Sequence, residues 1–235
     1  MKRLLRLLAL TLCLMMLAGS AMAVEPGFLV NHGDRSVPRI AITVDDCYDA
    51  NVLRMMYELS TEYNVPLTFF VLGTQIRAED KEVWEGILAN GGEVGNHTWK
   101  HPNLVNISVH NARNQILLTQ EAWDNLLGYH YPLRLFRPPY GSYSADGKSL
   151  LPLFEEYGVE KTVLWDVSNT DPVQARKQTQ NGSILLFHTN YVDLNCLKVL
   201  IPQLIEDGFE LVTVSELLGL EPLQTSDELY VFPYR

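Results

Sequence analysis

Cysteine and basic residues are both scarce in this chain of 235 residues. Three cysteines are too few for the disulfide framework of a small secreted scaffold, and the sequence leaves open whether Cys47 and Cys196 pair. The 18 Lys and Arg residues stand against 28 Asp and Glu residues, which gives a formal net charge of -10. Because a nucleic-acid backbone is bound by clustered positive charge, no nucleic-acid partner is expected. The composition, 47% hydrophobic and 20% charged, is typical of one globular domain.

The N-terminal residues have the pattern of a secretory signal peptide. Three basic residues within the first six positions precede an apolar stretch at 7–17, and Ala21 and Ala23 provide a cleavage pattern. The sequence therefore predicts a signal peptide at residues 1–23 and a mature protein that is secreted or held in the cell envelope. Such a protein has no membrane contact after cleavage. The alternative is that the apolar stretch stays uncleaved as an N-terminal anchor.

The rest of the chain divides into three segments. Residues 24–38 are predicted to be a lead-in, 39–218 a catalytic domain, and 219–235 a C-terminal tail that packs back onto it. Within the domain, short β-branched or aromatic runs alternate with segments of helical period. Strands are predicted at Ile40–Val44, Leu67–Leu72, Glu93–Gly95, Leu133–Phe136, Thr162–Trp165, Ile184–Phe187 and Phe209–Val214. Helices are predicted at Asn51–Tyr63, Lys81–Asn90, Ser108–Leu127, Lys148–Tyr157 and Cys196–Asp207. This alternation predicts an α/β fold with about seven parallel strands in a single domain, as a barrel or an open sheet.

Two adjacent carboxylates, Asp45 and Asp46, end the first predicted strand. Neighbours on an extended chain point in opposite directions, so the two are expected to have different roles. A pair of anions at a strand end requires a cation or an arginine to balance it. The alternative is that Asp46 or Asp49 caps the helix that follows.

His97 and His101 follow the weak strand predicted at Glu93–Gly95. Histidines four residues apart can turn their imidazoles to one side of a helical turn and bind one metal ion. Thr98 stands where a zinc protease with an HExxH motif has its catalytic Glu, so a protease is disfavoured. Two unrelated histidines are the alternative.

Arg137, Tyr140 and His188 also lie just after predicted strands. The two prolines between Arg137 and Tyr140 stiffen the turn and lack N–H groups, so the next backbone donor is that of Tyr140. An arginine on such a turn is suited to hold a carboxylate. His188 ends an apolar strand, where a structural histidine is the alternative to a catalytic one. Because the carboxyl ends of parallel strands converge, these groups are expected to share one site.

The order of these motifs resembles a known family. Asp-Asp, His-x-x-x-His, Arg-x-Pro-Tyr and Leu-x-x-His occur in this order, each at a strand end, in polysaccharide deacetylases of carbohydrate esterase family 4. These enzymes share the homology domain of the nodulation chitooligosaccharide deacetylase. The resemblance runs from about Arg39 to Leu218. It implies a distorted (β/α) barrel with fewer than eight strands.

The resemblance also implies a metal site. Asp46, His97 and His101 would bind one divalent ion, most often zinc, with cobalt, nickel or manganese as alternatives. Two imidazoles and one carboxylate suit zinc and leave positions open for water and substrate.

Four further residues have catalytic roles by the same resemblance. Asp45 is the general base that takes a proton from water, and Arg137 orients Asp45 and keeps it anionic. The Tyr140 N–H stabilises the oxyanion of the tetrahedral intermediate, and His188 protonates the departing amine.

The sequence departs from the family pattern next to these motifs. Cys47 follows the Asp pair where relatives commonly have Gly; it is interpreted as a tolerated small residue, with a further or inhibitory metal ligand as the alternative. Ser168 stands where the family has the Asp that pairs with the acid histidine. A neutral hydroxyl cannot raise a histidine pKa as an anion does, so His188 is expected to titrate at a lower pH unless Asp166 or Asp171 substitutes.

Two classes of function are therefore predicted. The first is a secreted, monomeric, metal-dependent deacetylase that hydrolyses N-acetyl groups of N-acetylglucosamine in peptidoglycan or chitin-like glycans. An O-acetyl esterase on xylan or another acetylated glycan is its nearest variant. The second is a metal-binding but inactive carbohydrate-binding relative, suggested by Ser168 and by Pro172, which replaces the family's Trp.

Overall fold

The computed structural model describes residues 27–229, so the predicted signal peptide and residues 230–235 lie outside the described residues. The main sheet consists of β1 (Leu29–Val30), β2 (Arg39–Asp46), β3 (Thr68–Val71), β4 (Glu93–Asn96), β5 (Leu135–Phe136), β8 (Lys161–Val163), β9 (Ile184–His188) and β10 (Glu210–Leu211). Strands β6 (Ser144–Ala145) and β7 (Lys148–Ser149) form a separate hairpin. The helices are α1 (Ala50–Tyr63), α2 (Lys81–Ala89), α3 (Val109–Leu127), α4 (Leu151–Glu156), α5 (Pro172–Gln178), α6 (Tyr191–Glu206) and α7 (Val214–Leu217).

The main sheet is parallel and curls into a distorted barrel. Its strand order is β1-β8-β5-β4-β3-β2-β10, and β9 also pairs with β2. Strand β2 is apolar, β-branched and buried along most of its length, as expected for a central parallel strand. Downstream of β8, Val167 forms a parallel bridge with Leu185 of β9, which draws the two sides of the sheet together. The predicted barrel of about seven strands is confirmed; the additional strand is β1.

The predicted lead-in supplies that additional strand. Leu29 and Val30 pair in parallel with β8, and Phe28 next to them is buried. A few residues on, the Arg35 guanidinium donates to the Asp166 carboxylate at 2.6 Å. The described part of the lead-in is therefore bound to the sheet at both ends.

Side-chain caps fix the starts of the helices. Asp49 accepts two backbone N–H groups of the first turn of α1, so the capping carboxylate is Asp49 and not Asp46. Helix α6 begins well before the predicted Cys196 because Asn190 caps it at Tyr191. Helix α5 was not predicted from the sequence; it starts at Pro172 directly after its cap Asp171.

A tight turn delays the start of α4. Asp146 and Gly147 have φ angles of 51° and 74°, and they form the turn of the β6–β7 hairpin. Two successive residues with positive φ are typical of a two-residue hairpin turn. The helix predicted from Lys148 therefore begins only at Leu151.

The core lies between the sheet and the helices that cover it. Its centre includes Trp84 and Trp123, whose rings meet edge to face with centroids 5.3 Å apart. Leu223 of the tail packs against this core, so the described part of the tail returns to the domain. Cys47 and Cys196 are both buried, and within the described part of the chain neither forms a disulfide. Among residues 27–229, no helix combines the length and the apolar character that crossing a bilayer requires.

Candidate active site

The polar residues at the strand ends line one cavity of about 270 Å³. Its lining comprises Asp45, Asp46, His97, His101, Pro138, Tyr140, Trp165, Leu186 and His188. Six of the seven predicted site residues are in this lining. The seventh, Arg137, is fully buried and bonded to Asp45. The structure thus brings all seven together at the carboxyl ends of the parallel strands.

The Asp pair stands on a left-handed turn. Asp46 has a φ of 71° and Cys47 a φ of 63°, a conformation that non-glycine residues seldom adopt. Because the extended strand stops at Asp46, both carboxylates face the same imidazole. The Nε2 atom of His97 lies 3.6 Å from Asp45 Oδ2 and 3.5 Å from Asp46 Oδ1. The expectation that the two side chains point apart is wrong for this reason.

The ligand atoms of Asp46, His97 and His101 lie within 4.8 Å of one another. Asp46 Oδ1 is 3.5 Å from His97 Nε2 and 3.7 Å from His101 Nε2, too far for good hydrogen bonds. Atoms bound at about 2.0–2.2 Å to one tetrahedral zinc ion are about 3.3–3.6 Å apart. Asp46 Oδ1 is also buried and has no hydrogen-bond partner among residues 27–229, which is costly unless a cation compensates it. These three residues therefore fit one divalent ion.

His97 is held in the form that a metal ligand requires. Its Nδ1 donates to the backbone carbonyl of Arg137 at 2.7 Å, so the lone pair is on Nε2, which faces Asp46. Burial lowers the pKa of His97 below its ordinary value, although Asp45 and Asp46 oppose this effect. The imidazole is therefore neutral near pH 7.

Arg137 holds Asp45 from beneath the cavity. Its Nη1 donates to Asp45 Oδ1 and to Thr43 Oγ1, both at 2.7 Å. The rest of the guanidinium donates to the carbonyls of Val163 and Leu164, each at 3.1 Å. Desolvation lowers the pKa of Arg137, and the Asp45 carboxylate beside it acts in the opposite direction. One Asp45 oxygen is thus fixed by Arg137 and the other faces His97 and the cavity.

The segment that carries the two histidines is a loop and not the helical turn that their spacing predicts. Thr98 and His101 have φ angles of 75° and 60°, and such residues cannot continue a right-handed helix. Hydrogen bonds shape the loop instead: Asn96 Oδ1 accepts the Thr98 N–H at 2.9 Å, and Thr98 Oγ1 accepts the His101 N–H at 3.0 Å. The imidazole centroids still lie 4.9 Å apart.

The backbone of Gly73 supports this loop from below. Its N–H donates to the Thr98 carbonyl at 2.9 Å, and a Cβ added there would overlap the Trp99 ring and lie 2.8 Å from Thr119 Oγ1. We expect Gly73→Ala to lower the free energy of unfolding by about 1–3 kcal/mol, because the core has no room for the methyl group. We also expect it to weaken zinc binding, because Trp99 must move with the loop between the histidines. Thermal unfolding and a chelator-competition titration measure the two effects.

Gly92→Ala is the matched control. The added Cβ would lie 2.7–2.8 Å from Ile87, at the start of β4 and away from the cavity. It should reduce stability without reducing zinc affinity. Unchanged zinc affinity in Gly73→Ala would contradict the supporting role of Gly73.

Two aromatic side chains, Tyr140 and Trp165, line the cavity, and Tyr48 follows the turn at Asp46 and Cys47. Tyr140, at a φ of 62°, is 66% exposed, and its ring centroid lies 4.7 Å from that of His101. Tyr48, which follows Cys47, is 52% exposed, and Trp165 forms part of the wall. Exposed rings of this kind can stack on the apolar faces of sugars.

Cys47 belongs to the hydrophobic core. Its side chain is 2% exposed, and burial raises the pKa of its thiol, with a further contribution from the neighbouring Asp46 and Asp45. The cluster of possible metal ligands comprises Asp46, His97 and His101 and does not include Cys47, which packs among core residues. This placement favours the interpretation of Cys47 as a tolerated small residue.

His188 has an anionic partner that was not predicted from the sequence. Its Nδ1 lies 3.3 Å from Oδ2 of Asp193, a buried residue in the first turn of α6. This contact is the main reason that the pKa of His188 is raised above its ordinary value. The expectation that Ser168 leaves His188 to titrate at a lower pH is wrong, because a different element supplies the anion.

Neither of the predicted substitutes is the partner. Asp166 accepts from Arg35 at 2.6 Å and from a backbone N–H of β9 at 2.8 Å, and Asp171 caps α5. Ser168 itself is exposed. The signal that could have identified Asp193 is its spacing from Asn190, because an Asn followed three residues later by an acidic residue often marks a helix start.

Comparison with known proteins identifies the family. A family model described as "Polysaccharide deacetylase" matches residues 32–151. The chain is also 31% identical over 188 residues to the peptidoglycan-N-acetylmuramic acid deacetylase PdaC of Bacillus subtilis (strain 168), a match that covers 76% of this chain and 38% of PdaC. The chain belongs to the polysaccharide deacetylase family, as its motifs predicted. It spans less than half the length of PdaC.

Solved structures share the fold. The peptidoglycan N-acetylglucosamine deacetylase Bc1960 superposes with a TM-score of 0.72 at 26% identity, covering 82% of this chain and 94% of that one. A pseudoenzyme of carbohydrate esterase family 4 from Bacillus anthracis superposes with a TM-score of 0.72 at 22% identity, covering 85% and 72%. Because the second protein is described as a pseudoenzyme, the fold alone does not distinguish an active member from an inactive one.

Proposed function

We propose that this protein is a secreted, metal-dependent deacetylase that hydrolyses the N-acetyl groups of amino sugars in peptidoglycan. The observation that carries the proposal is that three sets of groups meet at one cavity. They are Asp45 held by Arg137, the possible metal ligands Asp46, His97 and His101, and His188 in contact with Asp193. Homologues named as peptidoglycan deacetylases support the substrate class. Export rests on the signal-peptide pattern of residues 1–23.

Zinc is the ion that the donor set favours. Two neutral imidazoles and one carboxylate are common ligands of catalytic zinc. When bound by Asp46, His97 and His101, a divalent ion supplies positive charge that polarises the acetyl carbonyl and lowers the pKa of a neighbouring water.

The side chains of this chain move the protons. Asp45 takes a proton from water through Oδ2 as the water oxygen bonds to the acetyl carbon, while Arg137 holds Oδ1. The Tyr140 N–H donates to the carbonyl oxygen as negative charge develops there. His188 then gives its proton to the sugar nitrogen as the C–N bond breaks. The products are acetate and the free amine.

The test is acetate release by the purified mature protein from peptidoglycan, chitooligomers and acetylxylan, combined with elemental analysis and N-terminal sequencing. We expect acetate from the N-acetylated glycans, one zinc ion per chain, and loss of activity when a chelator removes the ion. An N-terminus at Val24 supports export with cleavage. The full set of proposed catalytic groups in the cavity predicts turnover and not binding alone.

Two other outcomes would replace the proposal. Release from acetylxylan alone indicates an O-acetyl esterase. Binding of glycans without acetate release from any of them indicates an inactive carbohydrate-binding relative. The departures from the family pattern at Ser168 and Pro172 suggest this alternative.

A further inference from the structure

We propose that Asp193 is a positioning residue for His188, which it holds so that Nε2 is directed into the cavity to deliver a proton. The proposal rests on the proposed function, because it concerns the group that protonates the leaving amine. It assigns to the first turn of α6 the task that the family pattern gives to the position of Ser168.

The contacts of Asp193 fix both the backbone and the ring of His188. Its Oδ2 accepts the backbone N–H of His188 at 2.6 Å and lies 3.3 Å from Nδ1 of the same residue. Since one ring nitrogen faces Asp193, the other, Nε2, is left for the cavity that His188 lines. A neutral ring in this contact carries its remaining proton on Nδ1, so Nε2 is the atom that gains and loses the catalytic proton.

Asp193 is itself held in place by the start of the helix. The Asn190 side chain accepts the Asp193 N–H at 2.9 Å and donates to Asp193 Oδ2 at 3.1 Å. The Asp193 side chain is 2% exposed, whereas that of His188 is 45% exposed. The partner is thus rigid and buried, and the imidazole reaches from it toward solvent and substrate.

The charge arrangement favours a protonated His188. Asp193 Oδ1 is buried with no hydrogen-bond partner in the described structure, so the charge of this carboxylate is poorly solvated. The charged groups that act on His188 are Asp193 from α6 and Asp45 and Asp46 from β2, and all three are negative. Asp193, which contacts the ring, stabilises the imidazolium, and burial acts in the opposite direction.

Asp193→Asn tests the proposal because it keeps the shape of the side chain and removes its charge. We expect kcat on an N-acetylated glycan to fall at least about tenfold with little change in KM, because the substrate still binds but proton delivery is weakened. The sign of the pH effect follows from the raised pKa. A lower His188 pKa deprotonates the acid earlier, so the alkaline limb of kcat should move to lower pH.

Two other variants separate positioning from helix capping. Asp171→Asn makes the same change at the cap of α5 and should leave both kcat and the pH profile unchanged, because Asn caps as well as Asp. Asn190→Ala removes the cap of α6 but keeps the Asp193 charge. It should lower the melting temperature and leave the alkaline limb of kcat near its wild-type pH, because the charge beside His188 is retained.

A measurement on the unsubstituted chain keeps the proposal testable if Asp193→Asn does not fold. Nitrogen-15 NMR of the His188 ring should show the neutral form protonated on Nδ1. A neutral ring protonated on Nε2, or an Asp193→Asn variant with unchanged kcat and alkaline limb, would overturn the role of Asp193 and leave the proposed function standing. Absence of acetate release from every glycan overturns the proposed function, whereas the NMR result still reports on the contact.

Discussion

Acetate release is expected to fall by about 100-fold or more when Asp45 is replaced by Asn, while bound zinc stays near one ion per chain. The carboxylate is 3% exposed and fixed by Arg137, so the amide can occupy the same place. An amide does not accept a proton from water, and general base catalysis typically contributes about 10²–10⁴-fold. The measurement is kcat on acetylated chitooligomers, together with elemental analysis of the same sample.

Asp45→Asn also leaves the buried Arg137 without its counter-charge. Removing one partner of a buried ion pair is commonly destabilising by about 3–5 kcal/mol, so the melting temperature should drop. The matched control is Asp146→Asn in the β6–β7 turn, where Asn suits the positive φ as well as Asp does. It should leave both rate and stability unchanged. A folded Asp45→Asn protein with the wild-type rate would remove Asp45 from the mechanism.

His101→Asn is expected to weaken zinc binding by more than about 100-fold and to abolish acetate release at limiting zinc. Loss of a residue that merely orients a ligand already costs about 10–100-fold in affinity, and His101 is placed as a ligand itself. Asn tolerates the φ of 60° at this position, so the loop can keep its path, but its shorter side chain does not reach Asp46. A competition titration against a chelator of known affinity measures the effect.

His110→Asn is the control for that change. His110 is exposed on α3, and its ring contacts Asn114. The variant should bind zinc and release acetate like the unsubstituted protein. Wild-type zinc affinity in His101→Asn would show that the three-residue cluster does not hold the ion.

The architecture and the seven predicted residues of the site could be predicted from the sequence. Alternation of apolar runs with helical segments predicts a parallel sheet, and parallel strands end at one edge. Asp45, His97, Arg137 and His188 are far apart in the chain, yet all lie at or directly after the ends of strands, so their meeting at one cavity was predictable. Strand β1 was not, because two residues give no periodic signal.

Local geometry around the site was harder to predict. The spacing of His97 and His101 suggested a helical turn, but Thr98 and His101 adopt left-handed conformations that tertiary contacts impose. Asp193 was not predicted as the partner of His188 for a related reason. Its importance depends on where α6 begins, and helix boundaries are the least certain part of a sequence-based assignment.

The two-residue strand β1 has a consequence for association between molecules. It covers the outer side of β8, whose backbone groups would otherwise be open to pairing with another chain. Its own outer side is short, which makes it a poor template for further strand addition. A chain trimmed back to Arg39 loses this protection and the Arg35 contact together, so we expect it to aggregate through the exposed edge of β8.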